Sequence, residues 1–218
     1  MAERDASPME MAREYDRAAE ETGWFGPEVA FGLAFAFVAP GESLLDIGIG
    51  TGLTAALFHK AGLRVFGMDI SPVMLEICRM KEVAADLRQH DLTVVPYPYA
   101  PASMDHVTCT GVLHFFADPR PLFGEVARIG RPGGVFAFSV GDRAPDEAGW
   151  FEVGPEHTGD GVTMYRHGQG MIGDLLEMNG FVALRALGFS LPLDPERRRS
   201  QVIRTYVARK RGGADRAG

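Results

Sequence analysis

Ser43-Leu44-Leu45-Asp46-Ile47-Gly48-Ile49-Gly50-Thr51-Gly52 reads as a short apolar strand, a glycine turn and a helix beginning near Thr51. Strand, glycine turn and helix open a nucleotide-type α/β fold. Without a Cβ, Gly48 and Gly50 can turn sharply and let a ligand lie against the backbone. The spacing narrows the ligand. A dinucleotide fingerprint, G-x-G-x-x-G/A, needs a small third residue for close helix–strand packing. Leu53 stands at that position, and Gly52 comes one residue early. A phosphate-binding P-loop needs G-x-x-x-x-G-K-[ST], and no Lys follows this turn. Neither a nicotinamide cofactor nor ATP is the first expectation.

Upstream, the spacing of Met9, Met11, Ala12, Tyr15, Ala18 and Ala19 predicts an amphipathic helix over 8–21, ended by Thr22-Gly23. A turn carrying Trp24 and Phe25 follows, then a helix from Pro27 to Val38. Downstream, strands and helices alternate. Strand two ends at Asp69, and Ser71-Pro72 opens a helix as N-cap and first helical residue. A weaker strand three ends at His90-Asp91, strand four covers 106–110, and strand five covers 135–140. Residues 141–167 read as a long irregular loop, the kind that forms a lid or stays disordered. After a helix over 168–179, strands at 181–191 and 201–209 are close enough in sequence to pair antiparallel. The alternation implies a mostly parallel sheet with helices on both faces and ligands at the strands' carboxyl ends. Asp46, Asp69, Asp91 and the segment Thr110–His114 all fall there. The expected organisation is a helical cap over 1–42, a ligand-binding core over 43–210 and a flexible tail over 211–218.

The chain has 218 residues, room for one α/β domain with a real core. Its net charge of −7 argues against a protein held mainly by phosphate contacts, and no nucleic-acid partner is expected. Cys78 and Cys109 form neither a disulfide framework nor a C-x-x-C pair. Met1-Ala-Glu-Arg-Asp holds no apolar signal core, and Phe31 to Pro40 is too short to span a bilayer. A cytoplasmic protein without a membrane partner is the expectation. No His/Asp/Glu set has metal-ligand spacing. Oligomeric state is not legible.

Asp46-Ile-Gly-Ile-Gly-Thr-Gly resembles the first motif of class I methyltransferases that use S-adenosylmethionine (SAM) and release S-adenosylhomocysteine (SAH). The resemblance extends over roughly 43–209: five βα-type units, then a closing antiparallel pair. It implies a Rossmann-like seven-stranded sheet, mostly parallel, with helices on both faces. It also implies cofactor contacts from Asp46, Gly48, Gly50, Thr51 and Gly52 around the methionine part and sugar. Asp69 with Ile70 would hold the ribose and Asp91 with Leu92 the adenine, and Thr110 would be a further cofactor contact.

Asp105-His-Val-Thr-Cys-Thr-Gly-Val-Leu-His-Phe-Phe-Ala-Asp-Pro resembles the fourth-strand region of small-molecule and quinone-type members. The Asn/Asp-Pro-Pro-aromatic motif of base and Gln methyltransferases is replaced by Thr110-Gly-Val-Leu. The Pro-Cys nucleophile of cytosine-C5 enzymes is missing too, since Thr108 precedes Cys109. The expected acceptor is therefore a small molecule. Alternatives left open are a SAM-binding protein with other chemistry, a protein or nucleic-acid methyltransferase, and a nicotinamide oxidoreductase. His114 is the candidate general base, or a group that only positions substrate. Tyr15, Trp24 and Phe25 are candidate acceptor-pocket aromatics. Tyr165 and His167, flanking Arg166, could face an anionic or polar acceptor.

Overall fold

The structure, a computed structural model, describes residues 10, 16–17, 19–153, 162–192 and 199–212. Helix α1 spans Gly26–Ala34, followed by a 3-10 turn at Phe35–Phe37. Then come β1 Ser43–Ile47, α2 Leu53–Lys60, β2 Arg64–Asp69, α3 Pro72–Met80 and β3 Asp86–Gln89. After a proline-rich loop lie β4 His106–Cys109, a 3-10 turn at Leu113–Phe115, α4 Arg120–Ile129 and β5 Val135–Asp142. Strands β6 Trp150–Val153 and β7 Val162–His167, helix α5 Gln169–Met178, and strands β8 Phe181–Pro192 and β9 Ser200–Lys210 complete the chain.

The strands form one sheet of order β3-β2-β1-β4-β5-β7-β6, with β9 antiparallel to β5 and β8 antiparallel to β9. The pairs β1–β2, β1–β4, β2–β3 and β4–β5 are parallel. This is the expected Rossmann-like arrangement, and strand order reverses between β1 and β4. The seven expected strands correspond to β1–β5, β8 and β9. Two more strands stand in the stretch read as an irregular loop, where β6 and β7 pair as an antiparallel hairpin. Periodicity missed it because each strand is short and each face of the hairpin mixes aromatic, charged and β-branched residues.

Register places that hairpin above the sheet's carboxyl edge. At Gly141, β5 pairs with Ile203 of β9 on one side and Arg166 of β7 on the other. Strand β4 pairs with β5 from Val107–Phe136 to Cys109–Phe138 and no further. So β7 takes the edge of β5 that β4 leaves, just past the end of β4.

Side-chain alternation sorts the core into two layers. On β5, Phe136 and Phe138 face one layer while Val135 and Ala137 face the other. Phe136, Phe138 and Tyr206 stack at centroid distances of 4.5 and 5.2 Å, with Phe123 edge-on to Phe138 at 5.2 Å. Offset and edge-on rings satisfy their quadrupoles while burying large apolar area. Helix α1 closes the second layer through Ala30 and Ala34, both fully buried, and Phe31 meets Phe58 at 5.1 Å. Among the described residues no helix is long and apolar enough to cross a membrane, and no cluster of His, Cys, Asp and Glu could hold a metal ion.

Candidate active site

The glycine turn is built from below. Gly48 and Ile49 donate backbone hydrogen bonds to the Met68 carbonyl at 2.8 and 3.0 Å. Gly48, Gly50 and Gly52 have φ of +68°, +53° and +87°, which side-chain-bearing residues rarely adopt. They differ in what a Cβ would meet. At Gly48 it would strike Val112 Cγ2 at 2.3 Å, and at Gly52 it would crowd Cys78 Sγ and Val83 Cγ2 at 2.9 Å. At Gly50 nothing lies within 4 Å. Gly48 and Gly52 therefore let protein pack against protein, and Gly50 keeps its missing side chain's space open to the cavity.

That cavity measures about 1180 Å³. It exceeds the ~300–1,000 Å³ of a typical single small-ligand pocket, so it has room for two molecules side by side. One end is formed by strand ends β1, β2 and β3. Asp69 Oδ2 accepts from the Gly50 amide at 2.9 Å and Oδ1 from the Ser71 amide at 2.9 Å, tying the turn to the start of α3. Each oxygen keeps lone-pair capacity toward the cavity it lines. Asp91 Oδ1 accepts from the Thr93 amide at 2.9 Å and hydroxyl at 2.8 Å, which hold its carboxyl below the usual carboxylate range. Its Oδ2 has no hydrogen bond among the described residues. Ile70, 60% exposed, and Leu92 add apolar walls. Tyr97 steadies this corner from behind: its hydroxyl donates to the Leu92 carbonyl at 3.0 Å, and its ring meets His90 edge-on.

Asp46 sits beneath the turn, 1% exposed, and does not line the cavity. Its Oδ1 accepts from the Thr108 hydroxyl at 2.8 Å, while Oδ2 is buried without a partner among the described residues. Burial, aided by the charge of Asp69, pushes its pKa up to about 7 against the hydrogen bonds of Thr108 and Ala55. Thr51 lines the cavity, and its hydroxyl donates to Asp16 Oδ1 at 2.8 Å. Lys81 Nζ reaches Asp16 Oδ2 at 2.5 Å. An N-terminal helical residue is thus clamped onto the glycine turn. Thr110 lines the opposite wall, its Oγ1 2.6 Å from that of Thr54.

The far end holds His114, Phe115 and Phe116, Trp24, the hairpin residues Phe151, Met164 and Arg166, and Gln201 of β9. Trp24 lies over Gly111, whose absent Cβ leaves 3.1 Å to the indole, and it meets Phe189 at 6.1 Å. Burial first, then the neighbouring His167, lowers the His114 pKa to about 4. The imidazole is neutral at pH 7.

Other expected residues sit elsewhere. His167 is 2% exposed and bonds through Nε2 to the Leu113 carbonyl at 3.1 Å, bracing the turn that presents His114. Tyr165 alternates to the strand face away from Met164 and Arg166 and does not line the cavity. Phe25 is 55% exposed and packs on Phe189 outside it. Asp46 and Gly52, as above, support the turn without lining the cavity. Tyr15 lies outside the described residues. Sequence reading missed Asp16, Tyr97, Phe151, Met164 and Gln201. The β-branched and aromatic residues of Val162-Thr-Met-Tyr-Arg-His were the signal that could have found strand β7.

A glycine turn after β1, carboxylates closing β2 and β3, and a cavity spanning the strand-order reversal define the class I SAM-dependent methyltransferase architecture. Residues 45–138 match the family described as Methyltransferase domain. Over 101 residues the chain is 37% identical to a malonyl-[acyl-carrier protein] O-methyltransferase of Serratia marcescens, covering 46% of this chain and 39% of the relative. It spans between 39% and 53% of the length of the curated relatives it matches. A SAM-dependent methyltransferase structure from Methanosarcina mazei has the same fold, with TM-score 0.69 and 16% identity over 82% of this chain and 97% of that one. So does magnesium protoporphyrin IX methyltransferase from Synechocystis, solved with bound SAH: TM-score 0.63 and 19% identity over 89% of this chain and 84% of that one.

Proposed function

We propose that the protein transfers the methyl group of SAM to a small-molecule acceptor. The observation that carries this reading is one cavity with two unlike ends. The open space at Gly50, the spare acceptor capacity of Asp69 and Asp91 Oδ2, and the apolar surfaces of Ile70 and Leu92 fit the sugar and base of that cofactor. When bound, it supplies an electrophilic methyl on a sulfonium. Asp69 accepts hydrogen bonds from the ribose hydroxyls. Asp91 accepts from the adenine amino group. Asp46 supports the turn from beneath without touching the ligand, and Thr110 limits the wall opposite.

Trp24, Phe115, Phe116, Phe151 and Met164 hold the acceptor and exclude water, so proximity and desolvation do most of the catalysis. His114 acts as a neutral wall and hydrogen-bonding group. A pKa of about 4 leaves it a weak base for an acceptor proton. The Asp16 clamp and Trp24 hold the N-terminal residues as a roof. The test is an SAH-release screen across phenols, thiols, amines and carboxylates, with product mass as readout. Gain of one methyl with stoichiometric SAH supports the reading. Cofactor binding without any methylated product, or a SAM-derived product of another mass, would replace it with other SAM chemistry.

A further inference from the structure

Arg166 lines the acceptor end and makes no ion pair among the described residues. Its guanidinium lies over the Phe151 ring at 4.2 Å, and its Nε is buried with no hydrogen-bond partner among the described residues. Asp142 does not neutralise it. That carboxylate follows Gly141, so it turns to the opposite face of the strand. There it pairs with Arg204 at 2.7 Å and accepts from Gln169 at 3.0 Å. Glu152 also lines the cavity; it accepts from the Thr163 hydroxyl at 2.7 Å and forms no ion pair with Arg166.

A second buried donor sits beside it. Gln201 is 6% exposed, lines the cavity, and its Nε2 has no partner among the described residues. Register puts the two on one face: Gly141 pairs with Arg166 on one side and Ile203 on the other, and Gln201 is two residues from Ile203. Gly141 makes the arrangement possible. A Cβ there would sit 2.0 Å from Gln201 Nε2. Buried donors left unsatisfied are costly, so two of them on residues lining one cavity call for an acceptor group from outside the protein.

Resting on the methyltransferase reading, we propose that the methyl acceptor is a carboxylic acid whose carboxylate is held by Arg166 and the Gln201 amide. One planar guanidinium with one neutral amide suits a planar, singly charged anion. The aromatic and thioether surfaces of Phe151 and Met164 suit an apolar body attached to it.

The test titrates 3-phenylpropionate and its neutral isostere 3-phenylpropanamide into the protein by calorimetry, with and without saturating SAH. The acid binds at least about tenfold tighter than the amide, the scale of hydrogen bonds to a charged group. Arg166→Gln removes this preference. Gly141→Ala, which drives a methyl into Gln201 Nε2, weakens the acid alone. Both variants keep wild-type affinity for SAH. Equal affinities, no binding of either probe, or a preference that survives Arg166→Gln would overturn the carboxylate site while SAH binding stood. An acid preference in a protein that binds no SAH would instead sink the methyltransferase reading and leave the anion site.

Discussion

At the scale of single residues, Asp46 and His114 give opposite pH signatures. Asp46 has a folded-state pKa of about 7 against 3.8 for a free carboxyl. The fold therefore binds the extra proton between those values. Its contribution is most favourable below about pH 4 and declines as pH rises through about 7, by at most ~4 kcal/mol. Asp46→Asn keeps an acceptor for Thr108 and removes the charge. It should raise the Tm by several degrees near pH 8 and leave it unchanged near pH 4. A Tm that falls at pH 8 would show that the buried charge is compensated. His114 has a depressed folded-state pKa, so its stability contribution is full above the unfolded value and falls away as pH drops toward about 4. In kinetics, this means no acid limb near pH 6.5. The pH–rate curves of wild type and His114→Ala should keep the same shape between about pH 6 and 9 at saturating acceptor, whatever their height. A limb near 6.5 that His114→Ala abolishes would make the imidazole a general base.

At the scale of elements, the glycine turn was readable because its function is local. Three glycines after an apolar strand can be interpreted from backbone sterics alone. Asp69 and Asp91 were readable for the same reason, since each ends a strand whose direction the αβ alternation sets. The β6–β7 hairpin was not. Its position depends on β4 ending before β5, and no local pattern records where a neighbouring strand stops. Gln201 was hidden likewise, a polar residue opening an otherwise apolar strand, with its meaning in Gly141 far along the chain. His167 and Tyr165 were read as one cluster with Arg166, but strand alternation sends Arg166 into the cavity and its two neighbours away from it. The same element scale bears on the roof. Asp16 clamps the N-terminal helical residues to Thr51 and Lys81, so Asp16→Ala should speed hydrogen exchange at 19–24 in the free protein. SAH should slow exchange there in wild type. Exchange at 19–24 that ignores both the mutation and SAH would remove the clamp from the account.

At the scale of the whole molecule, composition and alternation were sufficient for the fold class. A sheet with helices on both faces concentrates ligand contacts at one edge whatever the acceptor is. The acceptor end is less constrained, because it is assembled from the N-terminal turn, the hairpin and β9, none of which the core dictates. The most direct measurement is calorimetric titration of SAH and, separately, NADH into wild type and Asp69→Asn. SAH should bind wild type in the micromolar range and NADH should not. Asp69→Asn should weaken SAH by about 1.5–3 kcal/mol, the scale of hydrogen bonds involving a charged group. Binding of NADH in place of SAH, or SAH affinity untouched by Asp69→Asn, would contradict the cofactor site.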